Sequence, residues 1–262
     1  MKFFKGFLIG LQFFTVIPIP KAFPMDEEHL KRTIQAFPLL GLLQGIIYAL
    51  FMHSMVELTP FSHLAFAFLL WLLTILLTGG IHLDGWMDAS DAYFSFRNQE
   101  KRLEIMKDPR IGAFGVLSII ILLSSRFLFI YEITSNLQPL LFILIASIPF
   151  FSKMVMGVLL LTVQAVKQEG LGHLFQEAAT ARVLWIYPIY LLLFFIAVVL
   201  LDIKFLLAGV LAGAAAYCLH FCRHKSVKWF GGITGDVLGA SVEGTELVLW
   251  MTVWLLHYFV MA

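Results

Sequence analysis

The sequence predicts an all-α, polytopic integral membrane protein, and three observations carry that prediction. Of 262 residues, 60% are hydrophobic and 13% charged, whereas a soluble domain is about half apolar and about a quarter charged. Mean hydropathy is correspondingly high, at +0.90. Seven apolar stretches, at roughly 36–56, 63–81, 113–131, 139–161, 184–201, 204–221 and 237–258, approach the ~20 residues that cross a bilayer as a helix. The basic residues supply the third observation. With the N-terminus inside, fifteen of the 18 Lys and Arg fall on the cytoplasmic side, in groups at Lys2–Arg32, Arg97–Arg110, Lys167 with Arg182, and Arg223–Lys228. Lys204 alone falls outside, and Arg126 and Lys153 lie within spans. Such a bias sets orientation by the positive-inside rule.

Taken in order, the first segment, MKFFKGFLIGLQFFTVIPIPK, has the basic start of a signal peptide but no small-residue cleavage site. Pro18 and Pro20 break its apolar run. It reads as a retained amphipathic or half-inserted helix ahead of the seven spans. Pro38, Gly41 and Gly45 give the first span a small face suited to close helix contact. Gly209, Gly213 and the alanines up to Ala216 suggest the same for the sixth. Cys218 and Cys222 lie four apart in an apolar helix and read as packing, not as a disulfide framework or thiolate metal site. There is no long linker and no internal repeat, so residues 1–262 form a single membrane-embedded domain. With a net charge of +1 and no basic run, the chain carries no footprint for nucleic acid.

The polar residues gather in three clusters. The first is GGIHLDGWMDASDAYFSFR, from Gly79 to Arg97, with Gly79, Gly80 and Gly85 giving the backbone room at its entry. Asp84, Asp88 and Asp91 stand at i, i+4 and i+7, hence on one face of a helix. Like charges crowded at the edge of hydrocarbon need a counter-charge. A hard divalent cation with oxygen ligands serves, Mg²⁺ before Ca²⁺. The second cluster, Glu104–Gly115, sets Lys107 and Arg110 beside Asp108, with Pro109 and Gly112 marking a turn. Its cations are suited either to gripping phosphate or to anchoring the loop. The third, Lys228–Glu246, is a glycine-rich loop leading into a helix with Thr234 as N-cap. There Asp236, Glu243 and Glu246 stand at i, i+7 and i+10. His53, His63, His220 and His257 lie near span ends and read as interfacial. His82 is either a cap of the preceding helix or a catalytic group.

By the basic-residue topology all three clusters meet at the cytoplasmic mouth. Carboxylates on two helices beside a basic turn are the equipment for Mg²⁺-assisted phosphoryl or nucleotidyl transfer. The residues alone do not name a substrate.

Three stretches in order, GGIHLDGWMDASDA, RLEIMKDPRIGAFG and GGITGDVLGASVEGTE, resemble the signatures of the cobalamin synthase (adenosylcobinamide-GDP ribazoletransferase) family. LQFFTVIPIP and FPLLGLLQG extend the resemblance over nearly the whole chain. Ala92 stands where the family has Gly, and Pro109 where it has Ser. The resemblance implies the last step of nucleotide-loop assembly. A ribose hydroxyl of α-ribazole, or of its 5′-phosphate, attacks the phosphate carried by adenosylcobinamide-GDP, and GMP leaves. It implies Mg²⁺ held by Asp84, Asp88, Asp91, Asp236 and Glu243, with Glu246 beside them. Lys107 and Arg110 would hold the guanylyl phosphates, and Asp91 or His82 would take the hydroxyl proton. It further implies a bacterial inner-membrane enzyme facing the cytoplasm, with small-residue faces that permit a homo-oligomer.

Other membrane functions fit less well. A CDP-alcohol phosphotransferase would carry an Ala-Arg pair after its Asp-Gly, and a prenyltransferase adjacent aspartates; neither pattern is present. A corrinoid or cation carrier would hold its site near the midplane with access from both faces. A scaffold would leave the costly carboxylates without a purpose.

Overall fold

The computed structural model describes residues 2–95, 98–166, 170–201 and 204–260. Arg97 and Lys167, two of the basic residues used for topology, lie outside that set. The described chain is helical throughout: α1 (Lys2–Phe14), α2 (Glu27–Leu58), α3 (His63–Leu76), α4 (Ile81–Ser95), α5 (Gln99–Ile105), α6 (Ala113–Thr134), α7 (Pro139–Thr162), α8 (Leu171–Ala178), α9 (Tyr187–Leu200), α10 (Phe205–Phe230) and α11 (Gly235–Phe259). A 3₁₀ turn, Ala181–Ile186, leads into α9.

Among the described residues five helices are long and apolar enough to cross a membrane: α2, α6, α7, α10, and α9 together with its 3₁₀ turn. A sixth arises if α3 and α4 count as one span broken by an 82° bend. The expectation of seven spans is therefore corrected. The stretch at 63–81 is not one straight helix; α3 has 14 residues, or about 21 Å against a hydrocarbon core of ~30 Å. The stretch at 237–258 does form a helix of 25 residues, α11, but its polar side chains leave it insufficiently apolar by composition. The N-terminal helix, 13 residues and about 20 Å long, is too short to span.

The most buried of the apolar helices is α7, with 78% of its most apolar stretch covered. The bundle packs around it. Helix α2 reaches it backbone to backbone, as the glycine face predicted. A Cβ on Gly41 would fall 2.2 Å from the carbonyl oxygen of Pro149, and one on Gly45 1.9 Å from that of Ala146. Gly209 and Gly213 behave otherwise. Neither has a neighbour within 4 Å of a would-be Cβ. The inner face of α10 instead runs through Leu207, Leu211, Ala215 and Cys218, which leaves Gly209 and Gly213 off it.

At the other end, His63 pairs with Thr134 at 3.0 Å and the Tyr258 hydroxyl donates to Glu132 at 2.6 Å. These contacts tie the start of α3 to the ends of α6 and α11. Helix α1 lies against α2 through Gly6, whose Cβ would meet that of Arg32 at 2.6 Å. The N–H of Val16 donates to Leu77 O at 2.9 Å, which holds the chain after α1 against the end of α3.

Candidate active site

The bend between α3 and α4 creates the site. Gly79 and Gly80 adopt φ +64° and +76°, the left-handed region that glycine enters without a Cβ penalty. Helix α4 then runs against the start of α11. They approach so closely that a Cβ on Gly85 would lie 2.7 Å from the carbonyl oxygen of Asp236, and one on Gly239 3.2 Å from that of His82. The turn before α11 is secured as the sequence suggested. Thr234 is the N-cap, its hydroxyl accepting from the Val237 N–H at 3.1 Å. Two stretches far apart in sequence thereby place Asp84 and Asp236 on the wall of one cavity.

That cavity has a volume of about 610 Å³. Asp84, Lys107, Thr234 and Asp236 contribute polar groups, His82 and His173 their imidazoles, and Phe14, Phe37, Met156, Leu160, Phe175 and Leu238 apolar surface. Part of its wall is a clasp between two loops. The Val166 N–H donates to Ile233 O at 3.0 Å, and that of Ile233 to Gln164 O at 2.9 Å. Gln176 of α8 closes the end of α7, donating to Val163 O at 2.6 Å and accepting from the Ala165 N–H at 3.0 Å.

The residues expected to act together divide into three places. Asp84, His82, Lys107 and Asp236 line the cavity. Asp88 and Asp91 continue along α4, half-buried. Asp91 accepts from the Gly115 N–H at 3.3 Å, and a Cβ on Gly112 would collide with its carboxylate at 2.1 Å. It faces the N-terminus of α6, where backbone N–H groups and the helix dipole favour an anion. Arg110 is not on the cavity wall. Its exposed guanidinium binds Asp108 through Nε at 2.9 Å and Nη2 at 2.6 Å. This hydrogen bonding lowers the Asp108 carboxyl to about 2, so the pair stays ionised through the neutral range.

Glu243 and Glu246 lie within the bundle, both at least 95% buried. Glu243 forms an ion pair with Arg126, and Glu246 accepts from the Ser152 hydroxyl at 3.0 Å. The two cations left in spans by the topology are thus accounted for. Arg126 meets a buried carboxylate. Lys153 lies 2.6 Å from His82 Nε2 and 5.9 Å from the Phe14 ring centroid. Phe14 stacks on the His82 ring at 5.7 Å and 14°.

Among the described residues, no three His, Cys, Asp or Glu side chains come together as a metal-holding group. A closed protein cage is therefore not what these residues build. Two carboxylates and a hydroxyl on one cavity wall suit Mg²⁺ instead. That ion keeps much of its water and takes one or two carboxylates plus substrate phosphate oxygens.

Phe14, Phe37, His173 and Phe175 were not legible as site residues. Phe14 and Phe37 read as ordinary apolar positions, and His173 and Phe175 lie on a short helix after α7. Only tertiary packing brings them to the cavity. The one local sign was the amphipathic character of LGHLFQEA.

Comparison with known proteins places the chain in context. A family profile described as cobalamin-5-phosphate synthase matches residues 6–254. Adenosylcobinamide-GDP ribazoletransferase of Geobacillus sp. (strain WCH70) is 42% identical over 264 residues, covering 98% of both chains. The enzyme of the same name from Geobacillus kaustophilus (strain HTA426) is 40% identical, again with 98% of each covered. That of Clostridioides difficile (strain 630) is 36% identical, over 97% of this chain and 98% of its own. No solved structure matches.

Proposed function

Because the chain belongs to the cobalamin-5-phosphate synthase family, we propose that its cavity joins adenosylcobinamide-GDP to α-ribazole, or to its 5′-phosphate, and releases GMP. The chain is a transferase of cobalamin biosynthesis, built of helices apolar enough for a membrane. The observation that supports this cavity as the site is the contact of α4 with α11 at Gly85, which sets Asp84 and Asp236 on one wall with Lys107.

The reaction exchanges one P–O bond for another. The nucleoside hydroxyl oxygen bonds to the phosphorus attached to cobinamide. The bond from that phosphorus to the guanylyl phosphate breaks, and GMP leaves with the electron pair. Transfers of this kind depend on positioning and charge neutralisation more than on covalent help from the protein. Lys107 holds the diphosphate as a point charge. Mg²⁺ bound by Asp84 and Asp236 would neutralise the phosphate oxygens and ease departure of GMP.

The hydroxyl proton passes to a wall carboxylate. Asp91 is off the cavity wall and engaged at the α6 terminus. His82 has Nε2 against Lys153. Glu243 and Glu246 act as buried structural charges. We place the mouth on the cytoplasmic side, following the basic residues of the adjoining loops.

Protein reconstituted in liposomes with both substrates and Mg²⁺ tests the reading. GMP and the cobalamin product should appear in equal amounts, and chelation should abolish both. Passage of the corrinoid across the bilayer without product would point to a carrier instead.

A further inference from the structure

Lys107 reaches the cavity from a turn that continues α5 without a break. The Lys107 N–H donates to Glu104 O at 3.0 Å, and that of Asp108 to Ile105 O at 2.9 Å. Helix α5 has only seven residues, too few to be stable without tertiary contacts. Two of its side chains supply them. Gln99 Nε2 donates to the carbonyl oxygens of Lys228 at 2.9 Å and Val227 at 3.3 Å. Arg102 Nη1 donates to that of Trp229 at 3.0 Å.

These three carbonyls belong to the last turn of α10, where a helix has acceptors in excess and the negative end of its dipole. A side-chain cation is favoured there. The Arg102 guanidinium also lies over the Tyr93 ring of α4, 4.7 Å from its centroid, and Tyr93 packs on Trp229 at 4.1 Å. Arg102 is buried, so the protein itself holds this geometry. One junction thus ties the end of α4, the whole of α5 and the end of α10. From that end the chain turns, at Gly231 with φ +79°, into the loop that brings Thr234 and Asp236 to the cavity wall. Gln99 and Arg102 do not themselves line the cavity.

Resting on the reaction proposed above, we propose that Gln99 and Arg102 are positioning residues for the diphosphate of adenosylcobinamide-GDP. They clamp α5 to the end of α10 and so set Lys107 where it meets the phosphates beside Asp236.

The test uses the full chain in liposomes with Mg²⁺. Equilibrium dialysis gives the Kd of adenosylcobinamide-GDP with no nucleoside present, and α-ribazole is then added to follow cobalamin formation. Gln99→Leu removes the donor at an exposed position without adding charge. It should raise Kd about tenfold, and by no more than Lys107→Ala does, because the clamp acts through that one charge. Placed in Lys107→Ala protein, the same change should alter Kd by less than about twofold. A residue that merely supported the fold would lower the thermal midpoint and give losses that multiply. Arg102→Met should match Gln99→Leu, and Arg102→Lys, which keeps a cation at the helix end, should restore most of the affinity. The exposed Gln99 decides the matter if Arg102→Met fails to fold.

An unchanged Kd for Gln99→Leu overturns the proposal, and so do losses that multiply in the double variant. If the coupled loss of affinity appears but no cobalamin forms, the clamp stands and the assigned reaction fails. If cobalamin forms and Gln99→Leu binds as tightly as unaltered protein, the reaction stands and the clamp fails.

Discussion

Glu243 and Arg126 are 2% and 1% exposed, deep in a bundle of apolar helices. A charge buried there is tolerable only when paired, because breaking such a pair strands the partner without water. Glu243→Gln should therefore destabilise the protein by about 3–5 kcal/mol, read as a lower thermal midpoint in detergent. The double change Glu243→Leu with Arg126→Met should recover most of that loss. The loop cations make a second contrast. Lys107 lines the cavity, whereas Arg110 is bound to Asp108 outside it. Lys107→Ala should lower kcat/KM about 10- to 100-fold, the equivalent of one charged hydrogen bond. Arg110→Ala should change it little, since an exposed pair is worth at most about 1 kcal/mol. A larger loss for Arg110 than for Lys107 would reverse their roles.

Between elements, the critical contact is that of α4 with α11. Gly85→Ala would drive a methyl group into the Asp236 backbone, and rigid backbone must then move. Activity should fall by tenfold or more, since small misplacements in an active site can cost about 100-fold. Gly213→Ala provides the control on α10. No atom lies near its would-be Cβ, so alanine should leave activity intact and add up to about 1 kcal/mol of stability through helix propensity.

These contacts mark how far the sequence could be read. The aspartate helix, the Thr234 cap and the glycine face of α2 follow from spacing and local chemistry, which a single segment carries. The Arg126–Glu243 pair, Phe14 beside His82, and α8 at the cavity join residues distant in the chain. No periodicity encodes them. Spacing placed Glu243 and Glu246 on the helix of Asp236 but was silent on what stood opposite, and Arg126 and Ser152 stand there. Gly209 and Gly213 misled for a related reason, because small residues permit close packing without requiring it.

For the molecule as a whole, the broken span is the central device. A straight helix through 63–81 would have pointed the aspartates away from α11. The 82° turn at Gly79 and Gly80 lays the start of α4 against the first turn of α11. The mouth so formed should open to the cytoplasm. A membrane-impermeant thiol reagent should label Lys107→Cys in inverted vesicles and not in right-side-out ones, above the background of Cys218 and Cys222. Labelling of right-side-out vesicles alone would invert the topology.

The central claim is that Asp84 and Asp236 act as one site. The direct measurement is a double-mutant cycle on reconstituted protein, comparing cobalamin formation for Asp84→Asn, Asp236→Asn and both together. Groups that act as a unit are strongly non-additive. Each single change should cost about 100-fold or more, on the scale of lost transition-state charge stabilisation, and the double variant little beyond the worse single. Losses that multiply would contradict the account, by showing that the two carboxylates do not hold one cation together.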